Sequence, residues 1–248
     1  MDHITILGTI VSALGGLVVG SFVGASVWRL RARQLASDAK HGEKVLKKDA
    51  RQVEKLPVRS IKSDRSVCLH CGHQLRWYDL IPLVSWVSLS GKCRYCRAKI
   101  GLFEPVIEIS MAVFFVVSYI FWPYSFDSLV SVTQFVIWLI AGAGLTALFV
   151  YDMRWYLLPD KIIFPLIGLG LLNTLLVLID KNFALAEVAN VVYSCVVLSG
   201  LYYFIYVLSK HQWVGFGDVK LGLVLALLLF DVRLSVLALF LANFIGTI

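Results

Sequence analysis

The chain reads as an all-α, polytopic membrane helical bundle of about seven spans, interrupted by one small cysteine-bearing loop domain. Three observations predict this. Apolar residues fill 59% of the 248 positions and charged residues 16%, against about 45–50% and about 25% in soluble domains. The charge is segregated: 17 of the 23 Lys and Arg residues fall between Arg29 and Lys99 with six acidic residues, so this stretch carries +11 and the remainder −4. Two closely spaced pairs of cysteines lie in the same stretch. Disorder, a collagen and a small disulfide scaffold are excluded, and the composition argues against a soluble enzyme.

A span needs about 20 mostly apolar residues. Ile4 to Val27 is uncharged and too long for a signal h-region, and no basic n-region precedes it. It is expected to stay in the membrane with its N-terminus outside, stopped inside by Arg29, Arg31 and Arg33. Further spans are predicted at Val106–Trp122, Leu129–Tyr151, Ile162–Ile179, Val188–Leu208, Leu221–Phe230 and Leu234–Ile248. The basic insert then reads as a cytoplasmic loop, with the bilayer as partner and no nucleic acid expected. Residues 1–28 form the first span, 29–101 the basic loop and 102–248 the remaining bundle. Ala32 to Lys62 is polar, either an amphipathic surface helix or a tether. The loops at Tyr156–Lys161 and Ser209–Asp218 fall on the inner side.

Cys68-Leu69-His70-Cys71 and Cys93-Arg94-Tyr95-Cys96 are two C-x-x-C knuckles separated by 21 residues. Four thiolates so spaced make a closed tetrahedral zinc site. Such a site is structural, because no open coordination position remains. The alternative is four reduced thiols or a redox pair. His70 and His73 are expected as loop histidines rather than ligands, and Cys195 as a small core residue. The aromatic segment Trp77 to Trp86 is expected to pack on the knuckles or dip into the membrane interface.

Ionisable groups at span ends ask for a reason. Asp152 ends the third span, and Asp218 follows Gly215-Phe216-Gly217 just before the sixth. Both fall on the inner face. Two facing carboxylates sharing a proton are the apparatus of an aspartyl protease. Gly215 and Gly217 would admit a substrate backbone beside Asp218. The plainer readings are a helix N-cap for Asp218 and a solvated helix end for Asp152. Lys220 is placed to tune the pair's protonation or to hold a lipid phosphate. Asp160, after Pro159, is expected to cap the fourth span.

In this order the motifs resemble those of the type IV prepilin peptidases over nearly the whole chain. Gly20-Ser21-Phe22 through Trp28-Arg29-Leu30 is similar to that family's opening. The two knuckles with Trp77-Tyr78-Asp79-Leu80-Ile81-Pro82-Leu83 and Ser85-Trp86 between them resemble its zinc-ribbon loop. Pro105 and Glu108 resemble its P-x-x-E exit, and Asp152 with Leu157-Leu158-Pro159-Asp160 its D-x(n)-L-P-D segment. Gly215-Phe216-Gly217-Asp218-Val219-Lys220 matches its G-x-G-D-x-K motif.

The resemblance implies a bacterial cytoplasmic-membrane enzyme that removes the short basic leader of prepilins or pseudopilins at the cytoplasmic face, after a Gly. Asp152 and Asp218 match the catalytic aspartates. Many members also methylate the new N-terminus with S-adenosylmethionine, and the cysteine loop is associated with that half of the chemistry. The chain has no glycine-rich Rossmann loop for that cofactor, and Gly24 stands where the family has an Asn. The family pattern leads one to expect a further span beyond Ile248. The competing reading is a non-catalytic zinc-ribbon membrane scaffold that recruits a cytosolic partner.

Overall fold

The computed structural model describes residues 3–42 and 65–246 together with positions 50, 53 and 56. The chain divides into two compact units, Met1–Trp122 and Pro123–Ile248. Among the described residues β-structure is limited to the isolated bridges Val67–Gln74 and Lys92–Lys99.

In the first unit, α1 (His3–Lys40) is one helix of 38 residues. It passes the expected end at Val27 and continues through Arg29, Arg31 and Arg33. Hydropathy marks where the apolar slab ends, not where hydrogen bonding ends, and arginine is a good helix former. The first part of the expected Ala32–Lys62 segment is thus the end of α1; its remainder, apart from positions 41, 42, 50, 53 and 56, lies outside the described residues. A 3₁₀ turn (Trp77–Leu80) and α2 (Val84–Ser88) sit between the cysteine pairs. α3 (Phe103–Ile120) returns antiparallel against α1. At Gly16 and Gly20 the helices meet backbone to backbone: a Cβ there would come within 2.6 Å of Ala112 Cα and 2.7 Å of Glu108 Cα. Close approach through small residues replaces the hydrophobic drive that lipid cannot supply.

In the second unit, α4 (Leu129–Trp155) starts at Ser128, whose Oγ accepts from Ser131 N at 3.1 Å. It stops at Tyr156, left-handed at φ 53, whose N–H returns to Asp152 O at 2.8 Å. α5 (Asp160–Asp180) is preceded by Pro159 at the N-cap, so Asp160 is the first helical residue rather than the cap. α6 (Leu185–Leu208) holds a π turn at Val196–Gly200 and a half-buried Cys195. α7 (Phe216–Leu229) and α8 (Val232–Gly246) follow. Asp231 opens α8 by accepting from Arg233 N at 2.7 Å. Among the described residues α1, α3, α4, α5 and α6 are long and apolar enough to cross a membrane, and α8 is shorter but apolar.

α7 is a 14-residue helix at the centre of this unit. Val224 and Leu228 pack with Ile137, Ala141 and Leu148 of α4 and Ile163 and Leu166 of α5. The last carbonyls of a helix have no partner within it. Here Leu227 O accepts from Thr174 Oγ1 at 2.9 Å and Leu228 O from Asn173 Nδ2 at 3.3 Å, both donors buried on α5.

Candidate functional site

The two cysteine knuckles are built alike. Cys68 N donates to His73 O at 2.9 Å, and Gly72 N to Cys68 O at 2.8 Å. In the second knuckle Cys93 N donates to Ala98 O at 2.8 Å, and Arg97 N to Cys93 O at 3.0 Å. Gly72 and Arg97 take the left-handed conformation that closes each turn, at φ 73 and φ 57. The four sulfurs lie within 4.8 Å of one another, and Cys68 Sγ is 3.9 Å from Cys96 Sγ. Tetrahedral metal–sulfur bonds of about 2.3 Å separate neighbouring sulfurs by about 3.8 Å, so Cys68, Cys71, Cys93 and Cys96 suit zinc. Burial pushes the Cys68 thiol up to about 12. At Cys93 burial is outweighed by the N–H groups of Cys96 and Tyr95, which hold it below its ordinary value. A bound dication deprotonates its thiol ligands. The histidines stay outside the cluster, and His73 lies against the Tyr95 ring, centroids 3.7 Å apart.

Asp79 holds the segment between the knuckles to the second of them. Its side chain, 4% exposed, accepts from Arg94 Nε at 2.7 Å. It also accepts from Tyr95 OH at 3.0 Å and Arg76 N at 3.1 Å. Burial alone would raise this carboxyl, but those three donors and the Arg94 charge hold it below the usual carboxylate range. Trp86 packs on the ribbon through Nε1–H to Gly101 O at 3.3 Å, whereas Trp77 is exposed. Glu108, buried on α3, accepts from Leu83 N at 2.8 Å and so fastens the module to that helix. A cavity of about 530 Å³ opens between the module and the helices, lined among others by Gly24, Trp28, Trp86, Glu104 and Glu108.

In the second unit, Asp152 lies in the last turn of α4, exposed, and Asp218 in the first turn of α7, half-buried. The chain leaving α4 meets the turn that carries Asp218 where Leu158 packs on Gly217, so residues 66 positions apart come to the same end of the unit. Asp218 sits at the third position of the helix rather than at its cap, and Gly215 N–H donates to its Oδ2 at 3.1 Å. Gly217 gives room to Leu158: a Cβ at 217 would lie 3.1 Å from Leu158 Cβ. Ser199 Oγ, on the π turn, donates to Val219 O at 3.0 Å. Lys220 Nζ donates to Asp160 Oδ1 at 2.6 Å. The partners of Asp79, Ser199 and Asp160 are not legible in the sequence, because each contact joins segments that only the fold brings together.

The comparisons bear on both units. The bacterial peptidase A24 N-terminal domain matches residues 14–122, and the type IV leader peptidase family matches residues 139–248. A prepilin leader peptidase/N-methyltransferase of Pseudomonas aeruginosa is 30% identical over 217 residues, covering 83% of this chain and 67% of that protein. The protein of the same name from Stutzerimonas stutzeri is 29% identical, with coverage of 83% and 68%. That of Vibrio cholerae is 32% identical over 164 residues, with coverage of 65% and 60%. No solved structure matches the chain significantly. Its apolar helices, its motifs and these matches together make the chain a polytopic membrane peptidase that belongs to the type IV leader peptidase family.

Proposed function

We propose that the chain is an aspartyl endopeptidase that removes the basic leader of type IV prepilins or pseudopilins at the cytoplasmic face of a bacterial inner membrane, with Asp152 and Asp218 as its catalytic pair. The observation that supports this reading is that the end of α4, which carries Asp152, and the start of α7, which carries Asp218, are joined by the Leu158–Gly217 contact. Two carboxylates in mutual reach do not both ionise easily, so the pair shares one proton. The ionised member takes a proton from water, which attacks the scissile carbonyl carbon. The protonated member donates to the carbonyl oxygen, and return of a proton to the leaving nitrogen completes hydrolysis. The Gly215 N–H donates to Oδ2 of Asp218 and so orients that carboxyl. A basic leader suits a site whose exposed carboxylate is Asp152.

The same reading includes N-methylation of the new N-terminus. S-adenosylmethionine, when bound, supplies the methyl group. The cavity of the first unit has the chemistry to hold it: Glu104 and Glu108 answer a sulfonium or an ammonium, and the indoles of Trp28 and Trp86 offer faces for a purine. Gly24 leaves that wall without a side chain. The four-cysteine zinc site is structural. The topology has the N-terminus outside, and the module and both aspartates inside.

The test is cleavage of a leader-bearing prepilin by the full chain in lipid nanodiscs, with labelled methyl donor present. Asp152→Asn and Asp218→Asn keep side-chain size, and each is expected to lose at least about a hundredfold in rate. Cleavage at the normal rate by either variant would overturn the assignment and favour the non-catalytic scaffold. Label in the cleaved product reads the methyl-transfer half.

A further inference from the structure

We infer that Asp160, acting through Lys220, is a positioning residue that sets the separation of the two catalytic carboxyls. The inference rests on the protease reading above.

Asp160 begins α5 and Lys220 lies in the second turn of α7, yet Lys220 Nζ donates to Asp160 Oδ1 at 2.6 Å. The contact is built reciprocally. Each helix supplies one charge and, four residues away on the same face, one aromatic ring. The Lys220 ammonium lies 5.3 Å from the centroid of Phe164 and 5.2 Å from that of Phe216. Its side chain is 20% exposed, while that of Asp160 is 53% exposed. An ammonium flanked by two rings and largely removed from water has one anionic partner to satisfy it among the described residues, and that partner is Asp160.

Chain connectivity turns this contact into a constraint on the active pair. The segment 156–159 leads from the end of α4 to Asp160, so Asp160 fixes the chain that leaves Asp152. Lys220 lies two residues beyond Asp218 and fixes the turn that carries it. Residues two apart on a helix do not face one another, so Lys220 acts on Asp218 through the backbone. The Leu158–Gly217 contact joins the same two segments, two residues before Asp160 and three before Lys220, and the Ser199 bond to Val219 O holds the α7 turn from α6. With the ion pair broken, the α5 end of the junction is free to shift. A misplacement of about 1 Å can cost up to a hundredfold in rate.

The experiment uses the full chain in nanodiscs and the cleavage assay above. Asp160→Asn and Lys220→Met are each expected to lower kcat about tenfold and leave KM within about twofold, because the defect lies between the carboxyls and not in substrate binding. The double variant Asp160→Asn/Lys220→Met is expected to be no slower than either single variant, since one contact is lost in all three. Lys220→Arg keeps a cation between the rings of Phe164 and Phe216 and opposite Asp160, and it is expected to hold kcat within about threefold of the parent. Chemical unfolding of the same variants reads folding separately, and the fraction folded under assay conditions is expected to match the parent. An unchanged kcat in Asp160→Asn, a kcat loss matched by an equal loss of folded protein, multiplicative losses in the double variant, or a Lys220→Arg variant as slow as Lys220→Met would overturn the inference. A parent chain that cleaves nothing, or an Asp152→Asn variant that cleaves normally, would overturn the protease reading itself and this inference with it.

Discussion

Asp79 is a single carboxylate with three donors from two segments, and its loss has a defined signature. Asp79→Asn is expected to destabilise the zinc-loaded module by about 1–3 kcal/mol at pH 7, since a charged acceptor disappears while its donors remain. The folded carboxyl is held below its unfolded value of about 3.9. Its contribution is therefore complete above that pH and fades as pH falls through the lower folded value. At neutral pH, where zinc stays bound, the stability gap between parent and variant, followed by chemical unfolding, should shrink when Arg94 is first replaced by Met, because the charged donor is then absent from both. A gap unchanged by Arg94→Met would mean that packing, not charge, supports the segment. Asp79 was legible only as part of a family motif. Its main partner, Arg94, is 15 residues away, and no local periodicity connects them. Asp160 shows the same limit more strongly: the sequence supports a capping role, and the fold gives its carboxylate to Lys220, 60 positions on. The cysteine spacing, in contrast, was fully readable, because a knuckle is a local turn.

At the scale of elements, the apolar runs betrayed the helices because hydrocarbon solvates no backbone polar group and leaves the helix as the structure that satisfies them. The ends were less readable, as α1 shows by continuing past its arginines to Lys40. The end of α7 is instructive, since its final carbonyls depend on another helix. Asn173→Leu and Thr174→Val remove the donors to Leu228 O and Leu227 O while nearly conserving volume. Each is expected to cost about 0.5–2 kcal/mol of bundle stability, measured by denaturing-detergent titration in mixed micelles. If both variants unfold with the parent, those carbonyls find other donors and the bonds are dispensable. Asn173 and Thr174 stood in the sequence as two polar residues in an apolar run. Only the position where α7 stops explains them.

At the scale of the molecule, the chain keeps its cysteine module in the first unit and its aspartates in the second. The module has little apolar core of its own, so coordination is expected to supply most of its folding free energy. Zinc removal by a chelator should raise amide hydrogen exchange across residues 66–100 toward unfolded rates. The amides of α4, α5 and α7 should stay protected. Persisting protection across 66–100 would mean that the protein contacts alone fold the module. The basic insert that contains the module was visible in the sequence as a charge boundary. The place of the division, at Trp122, was not, because α3 belongs by hydropathy to the bundle and by contact to α1.

The unbroken α1 has one more consequence. Its 38 residues rise about 57 Å, nearly twice the roughly 30 Å thickness of the hydrocarbon, so it is a shaft as well as a span. Arg29 on this shaft donates to Ser66 Oγ at 2.9 Å, two residues before the first cysteine. On a shaft each residue is a rotation of about 100°. One alanine inserted between Gly24 and Arg29 would swing the guanidinium about a quarter-turn from Ser66, while seven would bring it back to within about 20°. The heading of the basic end relative to the membrane-embedded face is thus an angle written in the number of residues, and a length change here acts as a twist.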